Sequence, residues 1–293
     1  MRISKEDSEK YLAIATFASN LGGRVLLECW GKLSDIREKS AAGDLVTEAD
    51  HKSEECIIHY LQTQCPDHSI LSEESGLHEI EGSEYLWVLD PLDGTTNYTH
   101  QVPYASISIA LLYQGEPVIG VVNNPFIGEE FKAAQGFGAT LNNKEIRVSM
   151  TKELSKSILA TGFAYDRRET PDNNYAEFCY LTTRSQGVRR MGSAALDLAY
   201  VAAGRFDGFW ERGLNIWDIA AGIVLVREAG GIVSSYENEK VVLDSGRLLA
   251  SNGIIQNELS DALLRVPNET KPIIFNVVIP KEEVEQGEET LET

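Results

Sequence analysis

Positive charge is in short supply. The 293 residues carry 26 Lys and Arg against 45 Asp and Glu, a formal net charge of −19 with a pI near 4.7. A surface of that sign repels a phosphate polyanion, so nucleic acid is not expected as a bulk partner. It also means that a free anionic substrate needs a metal to bring it in. Cysteine is scarce: Cys29, Cys56, Cys65 and Cys179 show neither C-x-x-C nor metal-ligand spacing. Three of them fall in helical patterns, which predicts buried thiols in a reducing compartment. No apolar run reaches the length of a membrane span, and Met1–Asp7 does not read as a signal peptide. No membrane partner is expected, and the expected location is cytoplasmic. Internal repeats are absent, and the pair Gly136 and Gly138 marks a turn, not a nucleotide loop. At 43% hydrophobic and 24% charged, the remainder is an ordinary globular composition. It is long enough for one large domain or two intimate ones.

What is present is concentrated between Trp87 and His100, which reads Trp-Val-Leu-Asp-Pro-Leu-Asp-Gly-Thr-Thr-Asn-Tyr-Thr-His. Trp87, Val88 and Leu89 predict the end of a buried strand. Pro91, with no N–H to donate, is expected to stop the ladder, and Gly94 permits a sharp turn. Asp90 and Asp93 are thereby presented at a strand end. Two carboxylates in one tight turn repel unless a cation lies between them, and their oxygens favour Mg²⁺. If a helical turn opens after Gly94, the N–H groups of Gly94, Thr95 and Thr96 form an anion site. A lone Asp-x-x-Asp-Gly is more often a simple turn, so companions elsewhere decide the matter. Ser72-Glu73-Glu74-Ser75 follows the apolar pair Ile70-Leu71 and offers carboxylates at a sheet edge, although alone it reads as a solvated loop. Trp217-Asp218-Ile219-Ala220-Ala221-Gly222 opens an apolar helix on an acid, which could simply complement the helix dipole. Gly192-Ser193-Ala194-Ala195 opens another helix with small residues.

Together these segments resemble the inositol monophosphatase family, from the first helix to about Val266. That family belongs to a lithium-sensitive, Mg²⁺-dependent phosphatase superfamily. The superfamily also holds histidinol-phosphate phosphatases, bisphosphate nucleotidases and fructose-1,6-bisphosphatases. By this resemblance Glu73, Asp90, the carbonyl of Leu92, Asp93 and Asp218 look like ligands to two or three Mg²⁺ ions. Glu73 and Thr95 look like the pair that orients the attacking water. Gly94, Thr95 and Thr96 look like the phosphate cradle. Gly192, Ser193, Ala194 and Glu211 resemble the positions that contact the sugar or polyol, with Asp93 and Asp218 beside them. Lys39 with Asp44, Thr47 and Asp50 resembles a mobile lid whose acids support a loosely held metal and position Thr95. The continuation Thr96-Asn97-Tyr98, where nucleotidases and histidinol-phosphate phosphatases tend to carry a Lys, favours myo-inositol 1-phosphate or a similar polyol phosphate. The resemblance implies a homodimer, lithium sensitivity and hydrolysis by a metal-activated water with no covalent intermediate. Another phosphatase of the superfamily, or a non-catalytic regulatory protein on the same fold, are the alternatives.

The periodicity gives an architecture. Tyr11, Ile14, Ala18, Leu21, Val25, Leu26 and Cys29 predict a helix from about Glu6 to Leu33, and Thr47 to Gln64 a second. Strands are expected at 85–89, 105–113, 117–123, 130–134 and 139–141, giving two helices over an antiparallel sheet. After Ser149 helices and strands alternate, which predicts an α/β half with mostly parallel strands. The expected fold class is therefore α+β and α/β, arranged by the family resemblance as a layered αβαβα sandwich. Residues 1–149 would carry most metal ligands, and residues 150–266 would supply Asp218 and the polyol contacts. The acidic tail, 267–293, is expected to be partly disordered.

Overall fold

The computed structural model describes residues 3–33, 35–39 and 44–269. The chain opens with α1 (Lys5–Cys29), whose N-terminus is capped by the Ser4 side chain accepting from the Asp7 N–H. A short hairpin, β1 (Ile36–Glu38) and β2 (Leu45–Thr47), leads into α2 (Glu48–Gln64). An eight-stranded sheet follows, built from β3 (Ser69–Ser72), β4 (Gly76–His78), β5 (Tyr85–Asp93), β6 (Ser106–Tyr113), β7 (Glu116–Asn124), β8 (Glu129–Ala134), β9 (Ala139–Leu141) and β10 (Lys144–Ile146). The one-turn helix α3 (Thr95–Thr99) sits directly after β5. All ladders in this sheet are antiparallel except β3 with β5, which is parallel.

The second half begins with β11 (Ile158–Thr161), α4 (Tyr175–Thr182), β12 (Gly187–Arg189) and α5 (Ala194–Ala202). It continues through β13 (Gly208–Arg212), α6 (Ile216–Glu228), β14 (Ile232–Ser234), β15 (Arg247–Ser251) and α7 (Gln256–Glu269). In this five-stranded sheet β11, β12, β13 and β14 run in one direction and β15 alone runs against them, in keeping with the mostly parallel strands expected. The ladders of β11 with β12 and β13 are parallel, while those of β15 with β13 and β14 are antiparallel. The antiparallel strand β15 lies between β13 and β14, so α6 carries the chain from β13 past that position to β14.

Burial shows the layering. One face of the large sheet, through Trp87, Leu89, Ile107, Ile109 and Val121, packs on α1 and α2. Its other face, through Val88, Ala110, Val122 and Phe131, packs on α5 and α6. Those helices also meet the second sheet at Ala160, Phe209 and Ala250. The far face of that sheet, Leu159, Trp210 and Leu249, packs on Leu181 of α4 and Leu259 and Leu263 of α7. The order is thus αβαβα. Strand alternation, with successive side chains on opposite faces, serves both helical layers at once.

Two local expectations need correction. Pro91 does not end β5. The ladder pairs Asp90 with Ser108 and Asp93 with Ser106, so β5 carries one extra residue there, and Pro91 sits inside a bulge that tolerates its missing N–H. The four thiols are free, but only Cys65 is buried; Cys29 and Cys56 are half-buried and Cys179 is exposed on α4. Among the described residues no helix is long and apolar enough to cross a membrane. The acidic tail from residue 270 onward lies outside the described residues.

Candidate active site

The bulge decides where the two Asp residues point. Residues three apart on a regular strand face opposite sides. The extra residue shifts the count, so Asp90 and Asp93 both oppose serines two apart on β6 and share one face. That face looks toward α5 and α6: Ser108 donates to the Trp217 carbonyl at 3.0 Å, and the Ser106 and Ser193 hydroxyls lie 3.3 Å apart. The parallel pairing of β3 with β5 sets Ser72 beside Leu89, which brings Glu73 to the same edge as Asp90. The Glu73 N–H donates to the Leu89 carbonyl at 3.3 Å.

Asp93 reaches across to the other half. Its Oδ2 accepts from the Ser193 hydroxyl at 2.6 Å and from the Ala195 N–H at 2.8 Å, so it sits on the N-terminus of α5. Asp218 lies in the first turn of α6, where its Oδ2 accepts from the Asn215 N–H at 2.6 Å. Asp90 is only 2% exposed and accepts from the Leu92 N–H at 2.9 Å. Behind Thr95, Asp50 divides its two oxygens. Oδ2 closes a capping box with Thr47 at the start of α2, and Oδ1 lies 3.2 Å from the Thr95 hydroxyl, which also lies 3.1 Å from the Leu92 carbonyl. Gly94 turns with φ of +94°, a conformation open to glycine. A Cβ there would sit 3.1 Å from the carbonyls of both Gly192 and Tyr104.

These groups line one cavity of about 610 Å³. It holds Asp44, Glu73, Asp90, Leu92, Asp93, Gly94, Thr95, Thr96, Gly192, Ser193, Ala194, Glu211 and Asp218. Every residue singled out in the sequence is therefore in the wall except Lys39, Thr47 and Asp50, which stand behind it. Lys39 bonds Glu73 at 2.7 Å and Glu74 at 2.5 Å, and its N–H donates to the Asp44 carbonyl at 2.7 Å. Glu73 and Thr95 share the cavity but engage different partners, Lys39 for the first and Asp50 for the second.

The electrostatics are those of crowded acids. Burial, then Glu73, Asp93 and Asp218, push the Asp90 carboxyl well above the ordinary range. Burial and Asp93 do the same to Asp218. Asp93 is held at about 6, since Ser193 and the α5 N–H groups partly offset its burial. Asp50 rises to about 7, mainly through burial. Burial opposes the Lys39 charge, yet Glu73 and Glu74 outweigh it and raise Lys39. Glu211 rises to about 8 by burial and by Asp197; its carboxylate lies where a Cβ on Gly162 would intrude at 2.1 Å.

Among the described residues no group of three or more His, Cys, Asp or Glu is disposed to hold a metal ion as it stands. Each acid is turned toward a protein donor of its own. The donor chemistry nevertheless fits a hard divalent cation: carboxylates and one carbonyl, disfavoured as neighbouring anions, with the Lys39 ammonium already drawn onto Glu73.

Among the wall residues that the sequence did not single out, Tyr165, Arg167, Arg190 and Asp197 carry polar or charged groups. Arg190 stands two residues before Gly192 and could have been found from that proximity. Tyr165 and Arg167 belong to a short 3₁₀ turn with no motif. That turn is tied down by Arg212, which donates to both carboxylate oxygens of Asp166 at 2.7 Å.

A family model described as the inositol monophosphatase family matches residues 7–269. An inositol-1-monophosphatase of Synechocystis is 55% identical over 264 residues, covering 90% of this chain and 92% of that protein. A Nus factor SuhB of Pseudomonas aeruginosa is 44% identical over 247 residues, covering 82% and 91%. The solved structure of an inositol monophosphatase from Anabaena superposes with a TM-score of 0.82 at 51% identity, covering 90% of this chain and 98% of that one. The chain belongs to the inositol monophosphatase family, generally Mg²⁺-dependent enzymes that hydrolyse phosphoric monoesters.

Proposed function

We propose that this chain is a Mg²⁺-dependent phosphomonoesterase that hydrolyses myo-inositol 1-phosphate or a similar polyol phosphate. The observation that carries this reading is the meeting of Glu73, Asp90, Asp93 and Asp218 around one cavity, with the Asp50-supported Thr95 hydroxyl beside them. Two or three Mg²⁺ ions held by these acids and the Leu92 carbonyl would acidify a water and offset charge on the phosphate. The protein's own part is positioning. The Thr95 hydroxyl donates a hydrogen bond to Asp50, which leaves its oxygen free to accept a hydrogen bond from the water. Glu73, once released by Lys39, takes the other side of that water. The N–H groups of Gly94, Thr95 and Thr96 hold the phosphate oxygens, and the leaving alcohol faces Glu211, Ser193 and Ala194. The water attacks opposite the alcohol, so no covalent intermediate forms. Lys39 and the 44–50 segment act as the lid. Lithium inhibition and a homodimer are family traits that this proposal carries over, and a cytoplasmic location is carried over from the sequence.

The test is phosphate release from a panel of monoesters at fixed Mg²⁺, with and without EDTA. Inositol 1-phosphate is expected to lead the panel by kcat/KM, with activity abolished by EDTA. A second reading has its own support. Arg167 and Arg190 line the same cavity and suit a second anionic group, as in fructose 1,6-bisphosphate or 3′-phosphoadenosine phosphate. Their leading the panel would move the assignment there. A regulatory role without catalysis is the reading to which relatives named Nus factor would point. The complete acid set with Thr95 weighs against it, and no Mg²⁺-dependent release from any ester would reinstate it.

A further inference from the structure

We infer that Asn97 is a positioning residue that fixes the two halves of the site against each other and so sets Asp93. Its carboxamide nitrogen donates to the Tyr104 carbonyl at 2.7 Å and to the Met191 carbonyl at 2.8 Å. The first bond stays in the N-terminal half and the second crosses to the loop before α5. Both partners are acceptors, so the flipped amide would set oxygen against two oxygens, and the assignment of nitrogen is fixed by the network. The side chain required is short and carries two donors on one atom, which asparagine has. Serine has one donor and aspartate none.

The strut ends at a critical place. Met191 precedes Gly192, which turns with φ of +90°, and a Cβ on Gly192 would lie 3.2 Å from the Asn97 nitrogen. The Gly192 carbonyl in turn lies against Gly94, where a Cβ would meet it at 3.1 Å. Two glycine turns are thus in contact, with Asn97 holding them at one spacing. The next residue, Ser193, makes the 2.6 Å bond to Asp93. Asn97 is itself anchored: its carbonyl accepts from the Val102 N–H at 2.9 Å, and the Tyr98 hydroxyl beside it donates to the Leu26 carbonyl at 2.8 Å. Asn97 therefore acts on Asp93 through Met191, Gly192 and Ser193. In this it rests on the proposed role of Asp93 as a metal ligand.

The test compares wild type, N97A, N97D, N97S, S193A and N97A/S193A. Mg²⁺ binding to EDTA-stripped protein is measured by calorimetry, hydrolysis by kcat and KM, and folding by thermal melting. N97A is expected to stay folded, to weaken Mg²⁺ binding about tenfold or more, and to lower kcat by about 10- to 100-fold with little change in KM. N97D should be at least as damaging, and N97S, which keeps one donor, less so. N97S also serves as the readout should N97A not fold. N97A/S193A should be no more than about threefold worse than S193A, since both act on one contact. Mg²⁺ affinity and kcat within about twofold of wild type in N97A would overturn the inference, as would fully multiplicative losses in the double variant. Wild-type protein that binds no Mg²⁺ would remove the functional reading itself, a result distinct from either.

Discussion

At the residue scale the site is a set of acids that the bare protein would be better off without. Asp90 is buried and crowded by three other carboxylates, all of which disfavour its ionised form. Replacing it by Asn keeps the Oδ1 acceptor for the Leu92 N–H and removes a charge. Asp90→Asn should therefore raise the melting temperature of the EDTA-treated protein at pH 8 while lowering kcat/KM by about 10² or more. A variant that melts lower and turns over normally would contradict both halves of the argument. Glu211 makes a different case, because it is not among the proposed metal ligands and is proposed to face the alcohol. At about pH 9, where the Glu211 carboxyl is ionised, Glu211→Gln should cost inositol 1-phosphate roughly 1–3 kcal/mol in kcat/KM, the range for a lost charged hydrogen bond. An aryl phosphate without neighbouring hydroxyls should be nearly unaffected. Equal losses for the two substrates would make Glu211 structural, a support for the Gly162 turn beneath it.

At the element scale, the glycine turn after β5 is the most exacting piece of backbone. Gly94→Ala forces a side chain into a left-handed conformation and against two carbonyls. A cost of about 1–3 kcal/mol in denaturant unfolding is expected, with loss of phosphate affinity, since the cradle moves with the turn. An unchanged unfolding midpoint would mean that the turn relaxes freely. The same stretch shows what a sequence can and cannot tell. Acid identity, the glycine turn and the helical starts at Ser193 and Asp218 were legible, because each is a local chemical signal. Most strands and helices were legible from period, to within a few residues at each end. The bulge at Pro91 was not, because proline equally marks a strand's end and a strand's irregularity; only the pairing with Ser106 and Ser108 distinguishes them. The mostly parallel second sheet was legible from the alternation of helix and strand, but the reversal of β15 within it was not, since β15 follows β14 without an α-helix between them to mark its direction. Tyr165 and Arg167 reach the cavity through tertiary folding alone.

At the scale of the whole molecule, charge and pH are linked through the acids in and behind the cavity. Asp50 near 7, Asp93 near 6 and Glu211 near 8 all lie above their unfolded values. Between the ordinary carboxyl range and about pH 8 the native state therefore binds more protons than the unfolded chain. The stability these groups contribute is full below the ordinary range and is lost as pH rises through the raised values. Metal-free protein should thus melt at progressively lower temperature from pH 5 to pH 8.5, and the increase in melting temperature on adding Mg²⁺ should grow over the same interval. A Mg²⁺ increment that is flat or falls with pH would show that the cation does not neutralise these carboxyls.

The acids come from β3, β5 and α6, so nearly half the chain separates Glu73 from Asp218. During synthesis a ribosome exposes the first three acids well before the fourth, and before the α5 terminus that steadies Asp93. The nascent N-terminal half thus holds charge without a finished receptacle for metal or phosphate. Hydrolytic competence arrives only when α5 and α6 have docked on the first sheet, which makes catalysis a report that the two halves have joined.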